Sequence, residues 1–246
     1  MKFNSPIDIA LFIIEIIGCI SFATSGAFKA IRKKADVIGV VFLTLIEVFG
    51  GGLIRDLIIS QNAPHIFWDP EYLILSAISV TLSLMWFIIA YVKKSAWFIE
   101  KHRHDYWIYV LDAVGIAVFC VCGCRIANAS LATQTMIKSS NVLGTYSYVI
   151  ALGVISGVGG GMFRDIFVNE IPMIFRKYFY IIPCIIGSAV FTIMDKQLGE
   201  KFIILSVIVG LVIIVGLRMF AIIFKWNLPP AKGYIEALKE DESNKE

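Results

Sequence analysis

Seven apolar runs, each near the length of a bilayer crossing, constrain this chain more than any other feature. They are Ile7 to Phe28, Val37 to about Ile59, Tyr72 to Val92, Tyr106 to about Cys124, Val142 to about Val168, Tyr178 to Met194, and Phe202 to Phe224. About 20 apolar residues span the hydrocarbon core as a helix. In lipid every backbone polar group must be satisfied within the protein. The expected fold is therefore an all-α polytopic membrane protein. A single transmembrane domain is expected over 1–225, with a short cytoplasmic tail over 226–246. The first run has no basic segment before it beyond Lys2, and it contains Asp8 and Glu15, so it reads as a retained span and not a cleaved signal.

Charge is sparse and placed between the runs. Of the 246 residues, 58% are hydrophobic and 17% charged, and the net charge of +3 gives no reason to expect a nucleic-acid partner. Lys29, Arg32, Lys33 and Lys34 follow the first run, Lys93, Lys94, Lys101 and Arg103 the third, and Arg164, Arg176 and Lys177 the fifth; Lys225, Lys232, Lys239 and Lys245 lie in the tail. The opposite connections carry fewer cations: Lys2, Arg55, Arg125, Lys138, Lys196 and Lys201. By the positive-inside rule the N-terminus lies outside and the C-terminus in the cytoplasm. The implied location is the cell inner (plasma) membrane.

One motif occurs twice. Gly50-Gly51-Gly52-Leu53-Ile54-Arg55-Asp56 in the second run is matched by Gly159-Gly160-Gly161-Met162-Phe163-Arg164-Asp165 in the fifth. Weaker matches surround it. Glu15-x-x-Gly18 answers Asp112-x-x-Gly115, Phe22 and Gly26 answer Phe119 and Gly123, and Pro64 then Tyr72 parallels Pro172 then Tyr180. The repeating unit holds three spans, an odd number, so the second copy enters from the opposite face of the membrane. The chain thus divides into repeat one at about 7–92, repeat two at about 106–194, and a seventh helix at about 202–224 outside the repeat. Inverted repeats of this kind place functional sites near the midplane, at the repeat interface.

Spaced glycines at 18, 26, 115 and 123 serve close helix packing. Three consecutive glycines exceed that need and cost roughly 1 kcal/mol each against alanine in a helix. The expectation is that the second and fifth helices break at the triplets and expose carbonyl groups suited to a cation. Glu47 lies just before the first triplet; the equivalent stretch of repeat two is Val154-Ile155-Ser156, so the site is quasi-symmetric. Glu15 and Asp112 are acidic residues within spans, and such groups face a protein interior or a water path. Neighbours on a helix point about 100° apart, so Arg55 and Arg164 are not expected to pair with Asp56 and Asp165 beside them. They either satisfy helix ends or pair with Asp112 and Glu15 across the bundle, or they line a conduction path. Lys29 is expected to reach the headgroups.

Other features carry less. Cys19, Cys120, Cys122, Cys124 and Cys184 lie in apolar runs and read as small buried residues, with no metal site. His102-Arg103-His104-Asp105 reads as a solvated turn. No catalytic set, nucleotide loop or cofactor motif is present, so no enzyme is expected.

Seven spans, two inverted three-span repeats and a doubled Gly-Gly-Gly-x-x-Arg-Asp motif resemble the prokaryotic trimeric intracellular cation channels, a family also catalogued as probable bacterial glycine transporters. The resemblance covers about residues 7 to 224. It implies a homotrimer in which each protomer forms its own pore between helices two and five, passing potassium and other monovalent cations, with membrane lipids around it. The pore or hinge residues would be Glu47, Gly50, Gly51, Gly52, Arg55, Asp56, Gly159, Gly160, Gly161, Arg164 and Asp165, with Glu15 and Asp112 as the intramembrane acids. Animal members carry Lys-Glu-Val near this break, whereas here Ile46 precedes Glu47-Val48. A secondary transporter of a small solute such as glycine, and a membrane scaffold, are the alternative readings.

Overall fold

The computed structural model describes residues 6–59, 63–67, 69–93, 101–131, 142–176, 180–224 and 226. Seven helices among them are long and apolar enough to cross a membrane. They are α1 (Pro6–Arg32), α2 (Val37–Ile59), α3 (Pro70–Lys93), α4 (Lys101–Ser130), α5 (Val142–Phe167), α6 (Ile181–Leu198) and α7 (Ile203–Ile223). This is a multi-pass, all-α membrane protein. The tail beyond Trp226 lies outside the described residues, as do Lys94, Gln134, Lys138 and Lys177 and the side chains of His102, Arg103, His104 and Asp105.

Several helices outrun their apolar cores. α4 begins at Lys101 and ends at Ser130, beyond the Tyr106–Cys124 run at both ends. α6 continues through Asp195 and Lys196 to Leu198, where Gly199 adopts a φ of +69° and stops it. That conformation is open to glycine at little cost. Hydropathy marks the part of a helix that lies in lipid, and backbone hydrogen bonding carries the helix past it. Pro183, inside the sixth run, falls in the first turn of α6, where no intrahelical N–H is required.

The two halves pack about a pseudo-two-fold axis. α2 lies against α5, and α1 against α4. Matched residues meet across the axis: Phe22 and Phe119 stack with ring centroids 5.2 Å apart. α7 packs on α6 and α4, against the second half.

At the centre, α2 and α5 run helical through both glycine triplets. The expected breaks are absent, and the glycines do something else. A Cβ on Gly51 would strike the Ser156 carbonyl oxygen, and one on Gly160 would strike the Glu47 carbonyl oxygen. A Cβ on Gly159 would sit 2.9 Å from the Gly51 Cα. The two backbones therefore touch, and this approach needs residues without side chains. The contacts are reciprocal, because Glu47 and Ser156 hold equivalent places in the two repeats.

Candidate functional site

The arginine of each motif lies beyond the crossing, on opposite sides of it, because α2 and α5 are antiparallel. Each arginine curls back onto the aspartate next to it. Arg55 Nε and NH2 lie 2.8 and 2.7 Å from Asp56 Oδ1. Arg164 Nε donates to Asp165 Oδ1 at 2.8 Å. The expectation that neighbours on a helix cannot pair is overturned here. The 100° between adjacent Cα–Cβ directions is bridged by the long arginine side chain, which folds along the helix surface.

The aspartates also clamp the next turn of chain. Asp56 Oδ2 accepts from the His65 backbone N–H at 3.0 Å, and His65 Nδ1 lies 3.1 Å away. Asp165 Oδ2 accepts from the Met173 backbone N–H at 2.9 Å. Both aspartates thus tie the end of a central helix to the connection that follows it.

Toward the crossing the two halves use equivalent positions with different chemistry. Arg55 NH1 donates to Ser156 Oγ at 3.3 Å. Arg164 NH1 pairs with Glu47 Oε1 and donates to Ser25 Oγ at 3.1 Å. Glu47 and Arg164 are both fully buried. Asp112 is fully buried as well, with Oδ1 3.7 Å from Arg164 NH1 and Oδ2 2.8 Å from Arg218 NH2. Glu15 is half-buried, within hydrogen-bonding reach of the Cys122 thiol and near Arg125 and Arg55. Arg55 does not pair with Asp112.

The third glycine of each triplet has a separate task. Gly52 leaves room for the Arg55 guanidinium, 3.6 Å from where a Cβ would stand. Gly161 faces the Tyr180 hydroxyl and Asp112 Oδ1, at 3.3 and 3.7 Å from the same point. Gly50 packs against Phe163 and the Gly160 Cα.

Lys29 does not reach outward. Its Nζ lies 2.6 Å from Asp165 Oδ1 and 3.0 Å from Glu170 Oε2, and its side chain is only 13% exposed. A buried anion at Asp165 holds it more strongly than a headgroup layer would. Lys33 Nζ joins Glu170 at 2.6 Å. Partial burial raises the Glu170 carboxyl, but hydrogen bonds from Lys33 and Lys29 outweigh it and bring the pKa down to about 2.

On this side of the crossing, Arg164, Arg218 and Lys29 face Glu47, Asp112 and Asp165. Buried ions survive when paired in this way. Arg218 and Ser25 have no place in the sequence reading of the site, and Ser156, Tyr72 and Tyr180 enter it only as matches between the repeats, although Tyr72 takes a 3.4 Å hydrogen bond from Arg55 NH2. Arg218 carried a readable signal, as the one charged residue between Phe202 and Phe224. Ser25 carried none, since serine is common in membrane helices.

A family model described as "Glycine transporter" matches residues 12–88 and 109–196, one segment on each three-helix half. A UPF0126 membrane protein of Vibrio cholerae is 35% identical over 72% of this chain; the match spans 65% of that relative, under two thirds of its length. The UPF0126 inner membrane protein YadS of Escherichia coli is 32% identical over 87% of this chain and 92% of its own length. A solved structure described as giving the structural basis for conductance through TRIC cation channels aligns with a TM-score of 0.69 at 30% identity, covering 94% of this chain and 97% of that one. The TRIC trimeric intracellular cation channel orthologue of Rhodobacter sphaeroides shares the fold, with a TM-score of 0.72 at 24% identity, covering 88% and 99%.

Proposed function

Since the chain belongs to the TRIC/UPF0126 family, whose family model is described as "Glycine transporter", we propose that it is a monovalent cation channel that passes potassium. The solved relative at 30% identity is described as a cation channel, and channels are not enzymes. The observation that carries the reading is the seam between α2 and α5, where charged groups lie buried on both sides of a glycine crossing. A pure scaffold has no need to bury Arg55, Asp56, Glu47, Arg164 and Asp165 along one line, since such groups are costly inside a membrane.

On this reading the described arrangement is the closed state. The backbones touch at Gly51 and Gly160, and Arg164 and Glu47 have no solvent exposure. Conduction then requires α2 and α5 to part at the crossing. Carbonyl groups near the glycines would replace part of the ion's hydration shell, and Glu47, Asp112 and Glu15 would supply negative potential. Arg55 and Arg164, released from their partners, would repel cations; held by them, they are neutralised. The path would run along α2 and α5 within one protomer of a homotrimer set among membrane lipids. The chain would form one transmembrane domain over residues 1–225 in the inner membrane, with the N-terminus outside and the tail in the cytoplasm.

Planar-bilayer recording of purified protein tests this. The expected result is a potassium current absent from lipid alone, and no such current under any voltage or calcium condition would sink the reading. The family description favours a second reading, carriage of a small zwitterion such as glycine. Saturable glycine uptake into liposomes, competed by excess unlabelled glycine, without ionic current, would support it instead.

A further inference from the structure

The second half of the molecule holds one buried charge that the repeat does not supply. In the first half, Glu15 stands where Asp112 stands in the second. Asp112 is met by Arg218 of α7, the helix with no counterpart. Arg218 NH2 lies 2.8 Å from Asp112 Oδ2, and the guanidinium stacks 3.8 Å over the Tyr180 ring. The residue is almost fully buried, yet its Nε and NH1 have no hydrogen-bond partner among the described residues. Such a group is costly to bury. Apart from stacking on Tyr180, what it accomplishes here is occupation of one carboxylate oxygen.

The other oxygen of Asp112 is the informative one. Oδ1 is buried, without a hydrogen-bond partner among the described residues, and lies 3.7 Å from Arg164 NH1. Arg164 sits on Glu47 instead. These alternatives differ mechanically. Glu47 is on α2, so its pair with Arg164 ties α5 to α2 across the glycine crossing. Asp112 is on α4, so a pair with Arg164 there would leave α2 untied. A small swing of the Arg164 guanidinium separates the two states. In a low-dielectric interior the pull of Asp112 on Arg164 depends steeply on whether Asp112 is already neutralised.

We propose that Arg218 is a positioning residue: by neutralising Asp112 it keeps Arg164 on Glu47, and so keeps α2 tied to α5. Here the seventh helix sets the balance between tied and untied states. This rests on the channel reading for its functional consequence, and on geometry alone for the position of Arg164.

The test compares the full-length wild type with Arg218→Met, Arg218→Gln and Arg218→Lys in two measurements. The first is single-channel recording in potassium. Arg218→Met is expected to raise open probability at least fivefold, and Arg218→Lys to return to the wild-type value. The second is modification of Arg164 by phenylglyoxal in detergent, read by peptide mass. Arg218→Met is expected to raise labelling at least fivefold and Arg218→Lys to restore protection. If Arg218→Met does not fold, Arg218→Gln carries the test, since it removes the charge and keeps an N–H for Asp112. A folded charge-removing variant with wild-type gating or with Arg164 still protected overturns the proposal, as does an altered conductance with unchanged open probability. A wild type without current overturns the channel reading instead, and labelling then decides the position of Arg164 by itself.

Discussion

Arg164 of α5 and Glu47 of α2 form a fully buried ion pair directly beside the point where the two helix backbones touch. The pair and the contact work on the same seam. The glycines permit the approach, and the ion pair fastens it.

Breaking the pair from one side leaves a buried guanidinium short of a partner. Removing one member of a buried pair costs about 3–5 kcal/mol. Asp165 and Asp112 remain beside Arg164, so Glu47→Gln is expected near the low end, about 3 kcal/mol. Chemical denaturation in detergent, followed by helix content, measures it. A loss below about 1 kcal/mol would show that the pair fastens little.

Gly160→Ala adds a methyl where the Glu47 carbonyl oxygen already stands. Backbone cannot turn aside as a side chain can. Overpacking of this kind costs about 1–3 kcal/mol, more than the helix propensity that alanine brings, about 1 kcal/mol. Gly216→Ala is the control, because a Cβ there meets nothing within 4 Å. It is expected to be neutral or stabilising. Equal melting shifts for the two variants would contradict the crossing.

The Lys29, Lys33 and Glu170 cluster gives a pH signature. Glu170 is held at about 2 in the folded protein, below the ordinary glutamate value of about 4.3. Its contribution is therefore full above about pH 5 and lost as pH falls through about 2. The carboxylate is about a third exposed, so the effect is small, under about 1 kcal/mol. The melting difference between wild type and Glu170→Gln is expected to hold constant from pH 7 to 5 and vanish near pH 2. A difference that grows on acidification would be wrong in sign.

Lys29 and Asp165 should couple. Their side chains meet at 2.6 Å with little exposure, and contacting buried residues show coupling energies of about 0.5–3 kcal/mol. A double-mutant cycle with Lys29→Met and Asp165→Asn is expected to give at least about 1 kcal/mol. Additive losses would place Lys29 in the headgroups after all.

The fold was readable because its signals are long-range in sequence and simple in physics. Apolar run length fixed the spans, and the doubled motif with an odd number of spans fixed the inversion. The residues of the candidate seam are visible in the sequence, but their geometry is not. Gly50-Gly51-Gly52 suggests a broken helix because helix propensity takes no account of a facing helix. Gly159-Gly160-Gly161 stands opposite, and contact between two backbones is a property of both triplets together. For Arg55 and Arg164, side-chain length defeats the angular argument against pairing with Asp56 and Asp165. Lys29 lies at the end of its span, where a reach to the headgroups is the local expectation, whereas its partner Asp165 comes from another helix. Arg218 stood in plain view as an isolated charge in an apolar run, yet only folding shows that it lands on Asp112.

The contact between Gly51 and Gly160 also limits how this protein can vary. No side chain lies between the two backbones there, so none can be trimmed or reshaped. Any exchange at either position inserts atoms against a carbonyl oxygen. The distance between the central helices therefore admits no fine adjustment by substitution at the crossing itself. Variation among descendants of this chain would have to act from the periphery, through the arginines, their carboxylates and the seventh helix.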